Sequence, residues 1–289
     1  MHKILKNIIY LFQGILLSVL FLFLRIIPLN FSSHLLGTIA KIIGPKLSIS
    51  KKAFDNIKNV MPEKNKKERI KIVQGMWENL GRVIGEYPHL KKLVIKKKNS
   101  KIIIKGKKNL FLTKKKKIPA IFFSAHIANW EIAPMTAIIN NIPVLTIFRK
   151  PNNPFVNLLL KLSRPNIPFA PKGIEGAKQL IRSLRKGMSI GLIVDQKMND
   201  GIKVPFFKKP AMTAPALAQL ALKVKTLIIP VQIERIKKTN FIITFHNPLK
   251  INKNGRTKNI MEIMTEVNLL IEKWIRKNPE QWFWLHKRW

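Results

Sequence analysis

The chain has 289 residues, with 54 Lys and Arg against 14 Asp and Glu, giving a net charge of +40. An apolar fraction of 46% excludes a disordered polycation, and the lack of cysteine excludes disulfide staples, Cys-ligated zinc, iron–sulfur clusters and thiolate nucleophiles. So much base points to an anionic partner, whether nucleic acid, a lipid surface or an acidic protein. The first feature in chain order is an uncharged run from Asn7 to Leu24, bounded by Lys3, Lys6 and Arg25. It is long enough for a membrane helix. No small-residue cleavage site follows it, so it reads as an uncleaved anchor over residues 1–28 rather than a secretory signal. The competing reading is a buried core helix. Residues 29–100 show apolar positions at helical spacing over 51–60 and 66–80, and read as a helical region packed on the core.

After Lys101 short β-branched runs alternate with helical patterns. Strands are expected at 102–104, 120–124, 144–148, 189–194, 227–233 and 241–245. Helices are expected at 128–139, 154–162, 174–186 and 214–223, with a late one at 261–276. Such alternation specifies an α/β fold, a mostly parallel central sheet flanked by helices, over residues 101–289.

With 14 acids in the chain, two stand out by their apolar surroundings: Glu131 in AHIANWEIAPM and Asp195 at the end of SIGLIVDQ. A carboxylate in such company needs a partner. The run Ile121–Ala125 delivers His126 to the C-terminal end of a strand, where α/β sheets bind ligands. A helix beginning just after His126 would carry Glu131 in its first turns, facing the imidazole. The pair reads either as a general base with an orienting carboxylate or as a structural hydrogen bond. Arg149 ends the next strand, as an anion-binding fork or a surface cation. Lys172 and Gly173 precede a helix whose N-terminus suits an anion. Asp195 and Gln196 lie at a further strand end, as acceptor contacts or, for Asp195, part of a salt bridge. The six His are scattered, with no paired-His metal motif, and no Walker A, GxGxxG or G-x-S-x-G motif is present. No metal and no cofactor are expected.

Six blocks in order carry a family resemblance: IFFSAHIANWE, IFRKPNNP, APKGIEGAKQLIRSLRKG, IGLIVDQK, VPFFKKPAMTAPALAQLALK and PEQWFWLHKRW. The chain resembles the lipid A biosynthesis acyltransferases of the lauroyl/myristoyl type, within the wider glycerolipid acyltransferase group with an H-x4-D/E motif. The resemblance implies a glycerolipid acyltransferase-like fold, an acyl carrier protein thioester as acyl donor, and a hydroxyl of a Kdo-lipid IVA-type precursor as acceptor. It also implies a bacterial inner-membrane enzyme with its catalytic domain on the cytoplasmic face. In that scheme His126 is the general base oriented by Glu131, and Asn129, Arg149, Lys172, Gly173, Asp195 and Gln196 bind substrate. Backbone amides near Asn129 or a basic side chain would hold the oxyanion. Two departures stand out. The family often has Phe-Gly after the motif His, where Ile127-Ala128 stand here. It commonly has Gly after the Phe-Phe pair, where Lys208 stands here. Both are expected to bear on pocket shape. The alternatives are an acyltransferase acting on a phosphatidylinositol mannoside-like glycolipid, and a membrane-tethered nucleic-acid-binding protein. The second explains the charge but not the motif blocks, so no nucleic acid is expected among the partners.

Overall fold

A computed structural model describes residues 2–94, 100–148, 150–164 and 167–289. Five helices come first: α1 (His2–Ile26), α2 (Leu29–Ile43), α3 (Ser50–Val60), α4 (Lys66–Glu86) and α5 (Leu90–Val94). Strand β1 (Ile102–Lys105) and two short helices, α6 (Lys107–Leu110) and α7 (Leu112–Lys116), lead into β2 (Ala120–Ser124). The order continues α8 (Ile132–Ile139), β3 (Val144–Phe148), α9 (Pro154–Ser163), β4 (Phe169–Pro171), α10 (Ile174–Arg185) and β5 (Ser189–Ile193). A hairpin, β6 (Lys197–Phe206) and β7 (Lys209–Thr213), precedes α11 (Ala216–Lys223) and the long pair β8 (Leu227–Lys237) and β9 (Asn240–Phe245). A two-residue pair, β10 (Asn252–Lys253) and β11 (Arg256–Thr257), leads to α12 (Ile260–Lys277).

Seven strands form the central sheet in the order β1-β9-β8-β2-β5-β3-β4. Every pairing is parallel except β8 with β9, so the fold is α/β with a mostly parallel sheet. All five residues of β2 are buried, as a strand covered on both faces requires. The six strands expected from sequence all form, with ends shifted by at most four residues. β4 and the hairpin were not expected. β4 is short and ends in Pro171, and it lies at the sheet edge, where a missing N–H costs no ladder bond. The hairpin forms its own small sheet; its first strand begins with the exposed run Lys197–Asp200, and only its end, with Val204 and Phe206 buried, alternates as a strand does.

Helices α2 and α4 approach closely because α4 turns Gly81 and Gly85 toward α2. A Cβ on Gly81 would lie 2.2 Å from the Leu36 carbonyl oxygen, and one on Gly85 2.5 Å from that of Ser32. Asn65 and Glu68 close a capping box at the start of α4, and Asn259 with Glu262 does the same for α12. Among the described residues one helix is long and apolar enough to cross a membrane, Leu5–Ile26, with mean hydropathy 2.2. It is not a core helix, since 11% of that stretch is buried. It is docked on one side only: Gly14 lies against Phe155 of α9, and the Leu24 carbonyl accepts a hydrogen bond from His89 Nε2 at 2.7 Å.

Candidate active site

Strands β2 and β5 are parallel neighbours, with Ser124 level with Ile193. His126 and Asp195 each lie two residues beyond that level pair, so the register alone brings them together at the C-terminal edge of the sheet. Asp195 Oδ1 is 2.8 Å from His126 Nδ1, and Oδ2 accepts the His126 backbone N–H at 2.8 Å. Trp282 Nε1 donates to the same Oδ2 at 2.7 Å. Asp195 is fully buried. Burial pushes its carboxyl pKa upward, but the charge and hydrogen bond of His126, with a smaller pull from His286, outweigh that and hold it well below the usual carboxylate range. A carboxylate on Nδ1 fixes the tautomer in which Nδ1 carries the proton and Nε2 the lone pair. The imidazole is partly exposed, with its side chain 18% accessible.

The C-terminal segment straps this pair in place. Phe283 N–H donates to the His126 carbonyl at 3.1 Å, and Ile127 bridges Trp282 in antiparallel fashion. Trp282 and Trp284 are wholly buried, as core packing predicts. Phe283 is half-buried, its ring 4.7 Å from that of His286. The His286 ring packs edge-on to His126 at 4.8 Å, and its Nε2 is buried without a hydrogen-bond partner, 4.0 Å from Asp195 Oδ2. Burial pushes the His286 pKa down to about 4, with His126 and Arg288 adding to the shift and Asp195 opposing it. His286 is therefore neutral at pH 7. His126, Asp195 and His286 offer donor atoms within 4.8 Å of one another, so the structure gathers two histidines that the sequence leaves scattered. Both Asp195 oxygens are already committed to His126 and Trp282.

Glu131 is not the partner of His126, which corrects the sequence expectation. The helix does not begin after the motif histidine. Ala128 takes a left-handed φ of 51°, and α8 starts only at Ile132, leaving Glu131 at its N-cap. The carboxylate turns the other way and receives Arg164 through Nε and a terminal amine at 2.7 and 2.6 Å, plus the Tyr87 hydroxyl at 2.8 Å. The Arg164 guanidinium lies over the rings of Phe148 and Phe169, 4.6 and 5.4 Å from their centroids. Burial and the Glu131 charge push the Tyr87 phenol well above its ordinary value.

Asn129 is also corrected as a substrate contact. Its side chain is fully buried, donates to Glu86 Oε2 at 2.8 Å, and accepts the Glu131 N–H at 3.2 Å. Glu86 in turn receives Ser33 and Arg235, which ties the motif loop to α2, α4 and β8. Arg149 lies outside the described residues. Lys172, Gly173 and Gln196 are exposed beyond the ends of β4 and β5. Lys172 and Gly173 line a cleft with Phe148, Lys161, Arg164 and Phe169. Sequence reasoning missed Tyr87, Arg164 and His286 as site residues. His286 and Trp282 carried a signal, in the terminal PEQWFWLHKRW block, whereas Tyr87 and Arg164 carried none.

A histidine held by a buried carboxylate at the C-terminal edge of an α/β sheet is an arrangement suited to acid–base chemistry. A family model described as bacterial lipid A biosynthesis acyltransferase matches residues 2–289. The chain belongs to that family, and it is an acyltransferase. No curated protein matches it. Among solved structures it is similar to the 1-acyl-sn-glycerophosphate (LPA) acyltransferase, PlsC, from Thermotoga maritima, at 12% identity over 86% of this chain and 98% of that one, with a TM-score of 0.41.

Proposed function

We propose that the protein transfers a fatty acyl group from an acyl carrier protein thioester to a hydroxyl of a Kdo-lipid IVA-type lipid A precursor. The observation that carries the reading is the His126–Asp195 pair at the sheet edge in a chain of this family. His126 Nε2 takes the proton of the acceptor hydroxyl as its oxygen attacks the thioester carbonyl. Asp195 fixes the tautomer and stabilises the imidazolium. A C–O bond forms and the C–S bond breaks as the tetrahedral adduct collapses. The proton then passes from His126 to the carrier thiolate. No enzyme-bound acyl group is needed, and no cofactor takes part.

Glu131 acts through Arg164 and Tyr87 rather than on the reacting atoms, holding Arg164 in the wall of the cleft. The apolar α1 supports membrane anchoring; on the cytoplasmic face of the bacterial inner membrane the basic surface would meet anionic lipid and the acidic carrier protein alike. The test is mass spectrometry of the precursor incubated with carrier thioesters. The wild type should add one acyl mass and His126→Ala none. Undiminished acylation by His126→Ala would overturn the mechanism, and a precursor that gains no acyl group would overturn the acceptor.

A further inference from the structure

His286 takes no part in the acid–base step, yet it stands beside it. Its side chain is only 10% accessible, and its Nε2 lies 4.0 Å from Asp195 Oδ2. That nitrogen is buried without a hydrogen-bond partner among the described residues. Leaving a buried polar atom unpaired costs free energy. Packing accounts for the ring, which meets His126 and Phe283 with centroids 4.8 and 4.7 Å away. It does not account for the nitrogen, since a phenyl ring would pack there with no polar atom to satisfy.

Three donors converge at this point. One ligand atom each from His126, Asp195 and His286 lies within 4.8 Å of the other two. Around a tetrahedral zinc ion, with bonds of about 2.0–2.1 Å, ligand atoms stand about 3.3 Å apart. Two of the separations bracket that value: 2.8 Å from His126 Nδ1 to Asp195 Oδ1, and 4.0 Å from His286 Nε2 to Oδ2. Side-chain shifts of about 1 Å bring the set to that spacing. Among the described residues Oδ1 meets His126 Nδ1 alone, and a metal ion can take the place of the proton between them. Oδ2 keeps its two donors, the His126 amide and Trp282 Nε1. Outer hydrogen bonds of this kind hold a ligating carboxylate in orientation. Two imidazoles and a carboxylate suit zinc and its neighbours, whereas magnesium and calcium prefer all-oxygen sites. His126 is 18% exposed, which gives an ion a way in, and water can supply the fourth ligand. The net charge of +40 repels cations from the surface at large, so a bound ion has to be held by its ligands.

We propose that His126, Asp195 and His286 form an inhibitory site for a divalent cation of the zinc type. The inhibition rests on the acyltransferase reading, which makes His126 the base. A neutral imidazole that binds a metal through Nδ1 carries its one proton on Nε2. As the ion binds, the proton leaves Nδ1 and Nε2 gains one, so the imidazole stays neutral. Nε2 then has no lone pair for the acceptor hydroxyl. The ion also separates His126 from the carboxylate that would stabilise its imidazolium. Transfer therefore stops without the ion touching either substrate.

The test uses the full-length protein in detergent micelles, purified without a polyhistidine tag and titrated with Co²⁺ and with Zn²⁺. Cobalt serves as an optical substitute, because four-coordinate Co²⁺ absorbs far more strongly in the visible than the hydrated ion. Wild type should take up one Co²⁺ with a four-coordinate spectrum, and Zn²⁺ should displace it. By calorimetry, His286→Phe should weaken Zn²⁺ binding about a hundredfold, since even the loss of an outer-shell partner costs about 10–100-fold. His34→Ala, at an exposed position, should bind like wild type. Undiminished Zn²⁺ binding by a folded His286→Phe would overturn the site. If that variant does not fold, the wild-type spectrum still decides, and a six-coordinate one would overturn the site. Acyl transfer is read separately, by mass spectrometry of the lipid product, because the released carrier thiol itself binds zinc. Zn²⁺ at concentrations that fill the site should abolish wild-type transfer, and EDTA should restore it. Undiminished transfer by the zinc-loaded protein would overturn the inhibition. A cobalt site in a protein that transfers nothing without zinc would count against the acyltransferase reading and leave the metal site standing. Transfer with no cobalt site would do the reverse.

Discussion

Replacing Asp195 by Asn tests the assignment of the orienting carboxylate. Oδ2 accepts two N–H groups, from His126 and Trp282 at 2.8 and 2.7 Å, while Oδ1 faces His126 Nδ1. An asparagine must keep its oxygen at the Oδ2 position, because the reverse rotamer sets an NH2 against two donors. Its amide NH2 then points at Nδ1, which can answer only as an acceptor, and the imidazole proton moves to Nε2. The base is present but in the wrong tautomer. The same exchange in a serine-protease triad costs about 10⁴ in kcat. A loss of about 10³–10⁴ is expected here, equal to about 4–5.5 kcal/mol of barrier. The hydrogen-bond count at the site is unchanged, so unfolding free energy should fall by only about 1–3 kcal/mol. The assay follows release of carrier thiol at saturating acceptor, with thermal unfolding alongside. Asp195→Asn retaining activity within about tenfold of wild type, while Glu131→Gln loses about a thousandfold, would refute the reasoning and restore Glu131 as the orienting group.

Glu131→Gln should cost about 3–5 kcal/mol of stability, because it leaves the Arg164 guanidinium buried without its counter-charge. Urea unfolding of a double-mutant cycle with Arg164→Met should show strong Glu131–Arg164 coupling, and a cycle with His126→Ala almost none. The depressed His286 pKa of about 4 makes a stability contribution that is fully present above its ordinary 6.5 and lost as pH falls from there toward 4. With the group largely buried the loss is about 3 kcal/mol. Thermal unfolding between pH 7.5 and 4.5, roughly spanning that window, should therefore drop less steeply in His286→Asn than in wild type. His89 and His246, whose pKa values burial also lowers, supply the remaining slope in both proteins. Lys208 sits at φ 60° in the two-residue turn between β6 and β7, so Lys208→Gly should stabilise the protein by about 1 kcal/mol, read as a raised unfolding temperature. Lys208→Ala, which keeps the Cβ, should not.

The sheet was legible from the sequence because buried parallel strands announce themselves as β-branched runs, and all six expected runs pair. The bond between His126 and Asp195 was not, because it depends on which strands are neighbours. β2 and β5 are separated in sequence by β3 and β4, and only the crossover that inserts β5 beside β2 sets the two strand ends level. The H-x4-E spacing was misleading for a local reason. A helix beginning just after His126 would have carried Glu131 in its first turns, facing an imidazole on the preceding loop, but Ala128 at φ 51° delays the helix to Ile132. The two family departures now take on a different meaning. Ala128 and Lys208 stand where glycine is usual, and both occupy the left-handed region that glycine enters without strain. They are therefore backbone positions first. At Ala128 the strained conformation is held from outside: its N–H donates to the Gln281 carbonyl at 2.9 Å and its carbonyl accepts from Asn79 at 3.1 Å. The same C-terminal strap that carries Trp282 to Asp195 thus also fixes the turn that sends Glu131 away from His126. One segment, remote in sequence from the motif, decides which carboxylate the motif histidine meets.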